Sequence, residues 1–168
     1  MLGLMIDTSQ AVGRLDLHTL RDWYSAEELN LLLEDPEPVE EMFWTTSETP
    51  VWEELESIPQ IAEVLHSLTE PGQTFTFQGE EPINKYAQGA RLDDGNFMLE
   101  LAVVDGRAYN MRIAYGPEAD QMSSHPDDDV ERHGPQSLTL AQVYEVLAGW
   151  VSGRGLPAGY GGSIHIYG

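Results

Sequence analysis

The chain of 168 residues has no cysteine, which excludes disulfides, thiolate metal centres, iron–sulfur clusters and cysteine nucleophiles and suits a reducing compartment. Cations are scarce as well. Eight Lys and Arg stand against 29 Asp and Glu, for a formal net charge of −21, and without clustered Lys and Arg there is nothing to hold nucleic acid or an anionic membrane. Long apolar runs are missing too: none reaches the roughly 18 residues of a membrane span. Residues 1–6 are apolar but too few for a signal h-region, and no basic n-region precedes them. The expected location is the cytoplasm. No internal repeat is present.

The most pronounced shortage is regional. Residues 22–84 contain sixteen Asp or Glu and no Lys or Arg. Soluble domains normally intersperse both signs of charge, because a one-sign field repels itself and is retained where it steers a partner. That partner would be positively charged. Asp35, Glu37, Glu40, Glu41, Glu48, Glu53, Glu54 and Glu56 lie close together in this stretch, with Phe43, Trp44 and Trp52 among them. Aromatic side chains in a charged field can anchor a protein partner, so these eleven residues form the candidate partner-binding surface. Residues 85–115 are different, with Lys85, Arg91, Arg107 and Arg112 against Asp93, Asp94, Glu100 and Asp105. The charge is segregated along the chain.

What is present is enough apolar content, 41%, for one α+β domain spanning residues 1–168. Ser25 and Glu28 form a capping box that predicts a helix over 25–34, stopped by Pro36 and Pro38. Residues 39–46 suit a strand with Met42 and Trp44 on one face, or a loop. Thr49-Pro50 predicts a short helix, and Ser57 with Gln60 a longer one that buries Ile58, Ile61, Ala62, Leu65 and Leu68 before Pro71-Gly72. The period then changes to that of strands. Thr74 to Phe77 favour one, and the turn signals Asp94-Gly95 and Asp105-Gly106 define a meander over 86–92, 97–104 and 107–115, its middle strand apolar on both faces. Residues 116–136 read as a polar loop. Thr139 with Gln142 forms another capping box and Leu138 with Val143 a hydrophobic staple, predicting a helix to about residue 152 with Leu140, Val143, Tyr144, Leu147 and Trp150 inward. A short strand over 163–167 closes the chain. The expected fold is α+β, an antiparallel meander of about four to five strands packed against N-terminal and C-terminal helices.

Motifs for chemistry are weak. His125-Pro126-Asp127-Asp128-Asp129-Val130-Glu131-Arg132-His133 holds metal-ligating residue types, but neither EF-hand nor helical His spacing, and reads as a solvated acidic loop. The glycines of 153–162 follow a helix and precede a strand, the reverse of the order that aims amides at phosphate. Ser163 and His165 share a strand face without a nucleophile elbow or an orienting acid. Carboxylate pairs for glycoside hydrolysis are too numerous here to be selective. No catalytic residue, metal or cofactor is expected, and an enzyme acting through carboxylates or a metal is the minority reading.

Ser137 and Thr139 opening a helix that reaches Trp150, then Arg154-Gly155-Leu156-Pro157 and a closing strand, resemble the end of small actinobacterial immunity proteins that neutralise polymorphic toxins. The hairpin Leu92-Asp93-Asp94-Gly95-Asn96-Phe97 resembles their sheet region. The resemblance covers about half the chain, finds no counterpart in 22–84, and carries over no binding residue. It implies an α+β fold and a non-catalytic role, binding a cognate toxin and blocking its active site. The charge leads to a neighbouring expectation, since nuclease and deaminase toxins need a basic groove that an acidic protein can occupy. The alternative is a small adaptor or structural domain whose acidity serves solubility.

Overall fold

Most of the strands and both helices described follow the hydrophobic period of the chain. The computed structural model describes residues 41–80, 82–117 and 136–167. In chain order these form strands β1 (Phe43–Thr46) and β2 (Glu53–Glu54), helix α1 (Gln60–His66), strands β3 (Thr74–Gln78), β4 (Lys85–Arg91), β5 (Phe97–Asp105) and β6 (Arg107–Tyr115), helix α2 (Leu140–Val151) and strand β7 (Tyr160–Tyr167). All seven strands join one sheet in the order β2-β1-β3-β4-β5-β6-β7, and every neighbouring pair is antiparallel. Gly95 and Gly106 take positive φ of 85° and 75° at the two turns the sequence marks, where a side chain would be strained.

Alternation along the strands separates two faces. Phe75, Phe77, Ala87, Phe97, Leu99 and Ile113 point to one of them and form a single buried cluster with Ile61, Val64 and Leu65 of α1 and Val143, Tyr144, Leu147 and Val151 of α2. Phe75 meets Phe77 and Phe97 edge-on, with centroids 6.0 and 6.4 Å apart. The core therefore lies between the sheet and the two helices. α2 starts as its sequence predicts: the Thr139 hydroxyl accepts from the Gln142 amide and the Gln142 side chain accepts from the Thr139 amide. Before helix α1 the expected box forms in part: the Ser57 hydroxyl accepts from the Gln60 amide, while Gln60 Oε1 takes the Glu56 amide in place of that of Ser57.

The other face is polar along one line. Thr45, Thr76, Gln88, Glu100, Arg112 and Ser163 stand side by side across six strands. Glu100 is only 2% exposed, so β5 is not apolar on both sides. Its Oε1 accepts from Gln88 Nε2 at 3.1 Å and Asn110 Nδ2 at 2.9 Å, and its Oε2 from Arg112 Nε and Nη2 at 3.0 and 2.8 Å. Tyr86 donates to Asn110 Oδ1. Every oxygen of the buried carboxylate is thereby satisfied, which the burial of a charge requires.

The expected fold class needs correction. In place of a meander of about four to five strands packed against N-terminal and C-terminal helices, a seven-stranded antiparallel sheet dominates and only two short helices accompany it among the described residues. Two of the added strands come from 43–54. The Thr49-Pro50 signal starts no helix there: the Thr46 hydroxyl accepts from the Glu48 and Thr49 amides at 3.2 and 2.8 Å, and the resulting turn folds β2 back onto β1. Trp150 is also less enclosed than a core stripe requires, lying half-buried under Lys85, whose Nζ is 5.1 Å from the ring centre. The helix predicted over 25–34 lies outside the described residues.

Candidate partner-binding surface

β1 and β2 place the predicted surface at one edge of the sheet. Their register sets Phe43 opposite Glu54 and Trp44 opposite Glu53, and the Leu55 amide donates to the Met42 carbonyl at 2.7 Å to continue the pairing. Odd and even positions of β1 then diverge. Met42 is fully buried and Trp44 packs against the core, while Phe43 faces the side opposite α1 and α2, beside Gln78 of β3.

Phe43 forms one wall of a hollow of about 510 Å³ completed by Trp52, Gln78, Gly79, Glu80 and Ile83. Trp52 is 49% exposed and its neighbour Val51 56%, so two large apolar side chains stand in solvent beside the hollow. Glu53, Glu54 and Glu56 are exposed along the same edge segment, as is Glu41, with Glu54 opposite Phe43 and Glu53 opposite Trp44. A side-chain hydrogen bond with Glu80, joined by repulsion from the Glu80 and Glu54 charges, raises the Glu41 carboxyl above the ordinary glutamate range. A proton held between like charges is the usual outcome of crowding carboxylates. This rim would be relieved by any cation placed on it.

The sequence-predicted residues divide accordingly. Glu41, Phe43, Trp52, Glu54 and, through the sheet register, Glu56 share one end of the β1–β2 pair, with Glu53 on the same edge strand. Glu48 sits in the turn at the opposite end of β1, and Trp44 belongs to the core, its buried Nε1 without a hydrogen-bond partner among the described residues. Asp35, Glu37 and Glu40 lie outside the described residues. Glu80, Gln78 and Ile83 were missed by reading along the sequence. They join the site only through the antiparallel pairing of β1 with β3, for which Gly79 after the Thr-Phe alternation is the sole local cue.

Other candidates for chemistry separate in space. Ser163 is buried and its hydroxyl accepts from Gln136 Nε2 at 2.9 Å, which is a structural bond inside the sheet face. The segment 125–133 lies outside the described residues. Among the described residues no three His, Asp or Glu side chains gather as metal ligands, and no helix is long and apolar enough to cross a membrane. No protein-family model, curated protein or solved structure matches the chain.

Proposed function

We propose that this protein is a non-catalytic inhibitor, an immunity protein of the cytoplasm that binds a cognate basic toxin of nuclease or deaminase type and blocks its active site. The observation that carries the reading is the edge at β1–β2, where half-exposed Trp52 and Phe43 line a hollow rimmed by Glu41, Glu54 and Glu80 so crowded that one carboxyl titrates above its ordinary range. Such a surface suits an Arg or Lys of the partner, with charge setting the approach and the aromatics the lifetime of the complex. The resemblance of the 92–97 hairpin and the 137–157 segment to toxin-immunity proteins supports the same reading. A solubility role leaves the paired aromatics and the segregated charge without a purpose.

The test is association with a purified basic toxin, beginning with the product encoded beside this chain. Reversal of both edge acids, Glu53→Lys with Glu54→Lys, should slow association about tenfold or more at low salt, within the range that steering contributes. Trp52→Ala should instead speed dissociation, at a cost of about 2 kcal/mol or more, as for a central aromatic anchor. Inhibition unchanged by both variants, or an association rate indifferent to salt, would remove this surface from the mechanism.

A further inference from the structure

The hollow at the β1–β2 edge sets aromatic walls against paired acids. Glu54, Phe43 and Gln78 lie in one row across β2, β1 and β3. The same register carried two residues on sets Glu41 opposite Glu80, and their carboxyl groups share a hydrogen bond. Trp52, 49% exposed, and Ile83 complete the apolar part of the lining, in which Glu80 is the one charged member among the described residues. That charge is left open. Among the described residues neither Glu41 nor Glu80 is paired with a Lys or Arg, and the next cation in sequence, Lys85, is drawn over the Trp150 ring, 5.1 Å from its centre.

We infer that this hollow receives a single arginine side chain of the toxin, its guanidinium plane against the Phe43 and Trp52 rings and its N–H groups directed at Glu80 and Glu41. The toxin as partner rests on the function proposed above, whereas arginine follows from the lining. Lysine carries the same charge in a different shape. An ammonium is a compact, strongly hydrated ion, and entry between Phe43, Trp52 and Ile83 strips water that a carboxylate on one side replaces only in part. A guanidinium is more weakly hydrated, stacks on aromatic rings, and offers five donors in one plane. It can bond two neighbouring carboxylates at once, taking the place of the hydrogen they share. A volume of about 510 Å³ also exceeds what an ammonium fills, and it admits the planar head together with its stem.

Titration of the full chain with N-acetyl-arginine amide and with N-acetyl-lysine amide at matched ionic strength tests this, followed by NMR at the Trp52 indole and the Glu41 carboxyl. Expected for the arginine derivative are saturable shifts at both positions with dissociation on the order of millimolar, as for a ligand this small. The lysine derivative should bind about tenfold more weakly or worse. Glu80→Gln and Trp52→Leu should each weaken arginine binding about fivefold or more, while Glu63→Gln, at an exposed acid of α1, should leave it unchanged. All three positions are exposed, so their unfolding midpoints should match wild type. Equal affinity for the two derivatives, or a loss in Glu63→Gln as large as in Glu80→Gln, would overturn the inference by reducing it to net charge. A toxin assay separates arginine recognition from inhibition. Inhibition that depends on Trp52 in a protein that does not distinguish arginine from lysine would keep the inhibitor and overturn the arginine. Arginine binding as expected in a protein that inhibits no basic toxin would do the reverse.

Discussion

Two glutamates show how differently one side chain behaves according to what surrounds it. Burial alone would push the Glu100 carboxyl up, but bonds from Asn110 and Gln88 and the bonds and charge of Arg112 outweigh it and hold the group below its ordinary value of 4.5. A carboxyl depressed in the folded state stabilises the fold above its unfolded pKa, and that contribution is lost as pH falls through the folded value. Glu100→Gln should therefore flatten the acid limb of the stability profile below about pH 4.5, as read by urea midpoints. Arg112→Met should be far more harmful at neutral pH, by about 3–5 kcal/mol, because it leaves the carboxylate buried without its cation. Glu41 is the opposite case, fully exposed and raised by its bond to Glu80. The preference for the protonated form is favourable below the unfolded pKa and disappears as pH rises through the folded one. Glu80→Gln should move the Glu41 titration down toward the ordinary range by NMR, and no movement would show that Glu80 is not the cause. A cation on this rim should likewise displace the shared proton, so partner affinity should rise with pH through the Glu41 transition.

At Gly89 in β4 the sheet tolerates no side chain, since a Cβ there would meet the Met98 carbonyl oxygen and the Phe75 ring. Gly89→Ala should destabilise by about 1–3 kcal/mol, the usual cost of overpacking, visible as a lower thermal midpoint. The same physics explains which elements could be read in advance. Helix α2 was legible because the Thr139–Gln142 box and the Leu138–Val143 staple are local, and the hairpins around Gly95 and Gly106 because their turn residues are local too. β2 was not, since Glu53-Glu54 has no strand preference of its own and is extended only because β1 lies beside it. β7 starts at Tyr160, earlier than expected, because Gly161-Gly162 reads as a turn although Gly162 is required by the closeness of the Arg112 carbonyl. Thr49-Pro50 misled because the Thr46 hydroxyl, three residues earlier, takes the Glu48 and Thr49 amides and closes a turn before any helix can start. The candidate site was half legible for the same reason: Phe43, Trp52 and Glu54 are near in sequence, whereas Glu80 arrives from the segment that follows β3.

Over the whole molecule, the formal charge of −21 is a load that the fold carries against self-repulsion. Added NaCl should raise the urea midpoint of wild type, because screening weakens repulsion among exposed carboxylates far more than it weakens the buried Glu100–Arg112 pair. A midpoint that falls with salt would mean that surface ion pairs outweigh the repulsion. The β2 edge of the sheet also limits assembly. β2 is two residues long, and both are exposed Glu, so it offers neither the length nor the neutrality that strand addition needs. In the polymer chemist's sense β2 is an end group: a strand arriving at it finds two residues of ladder and two like charges, so a fibre could not be propagated from this side.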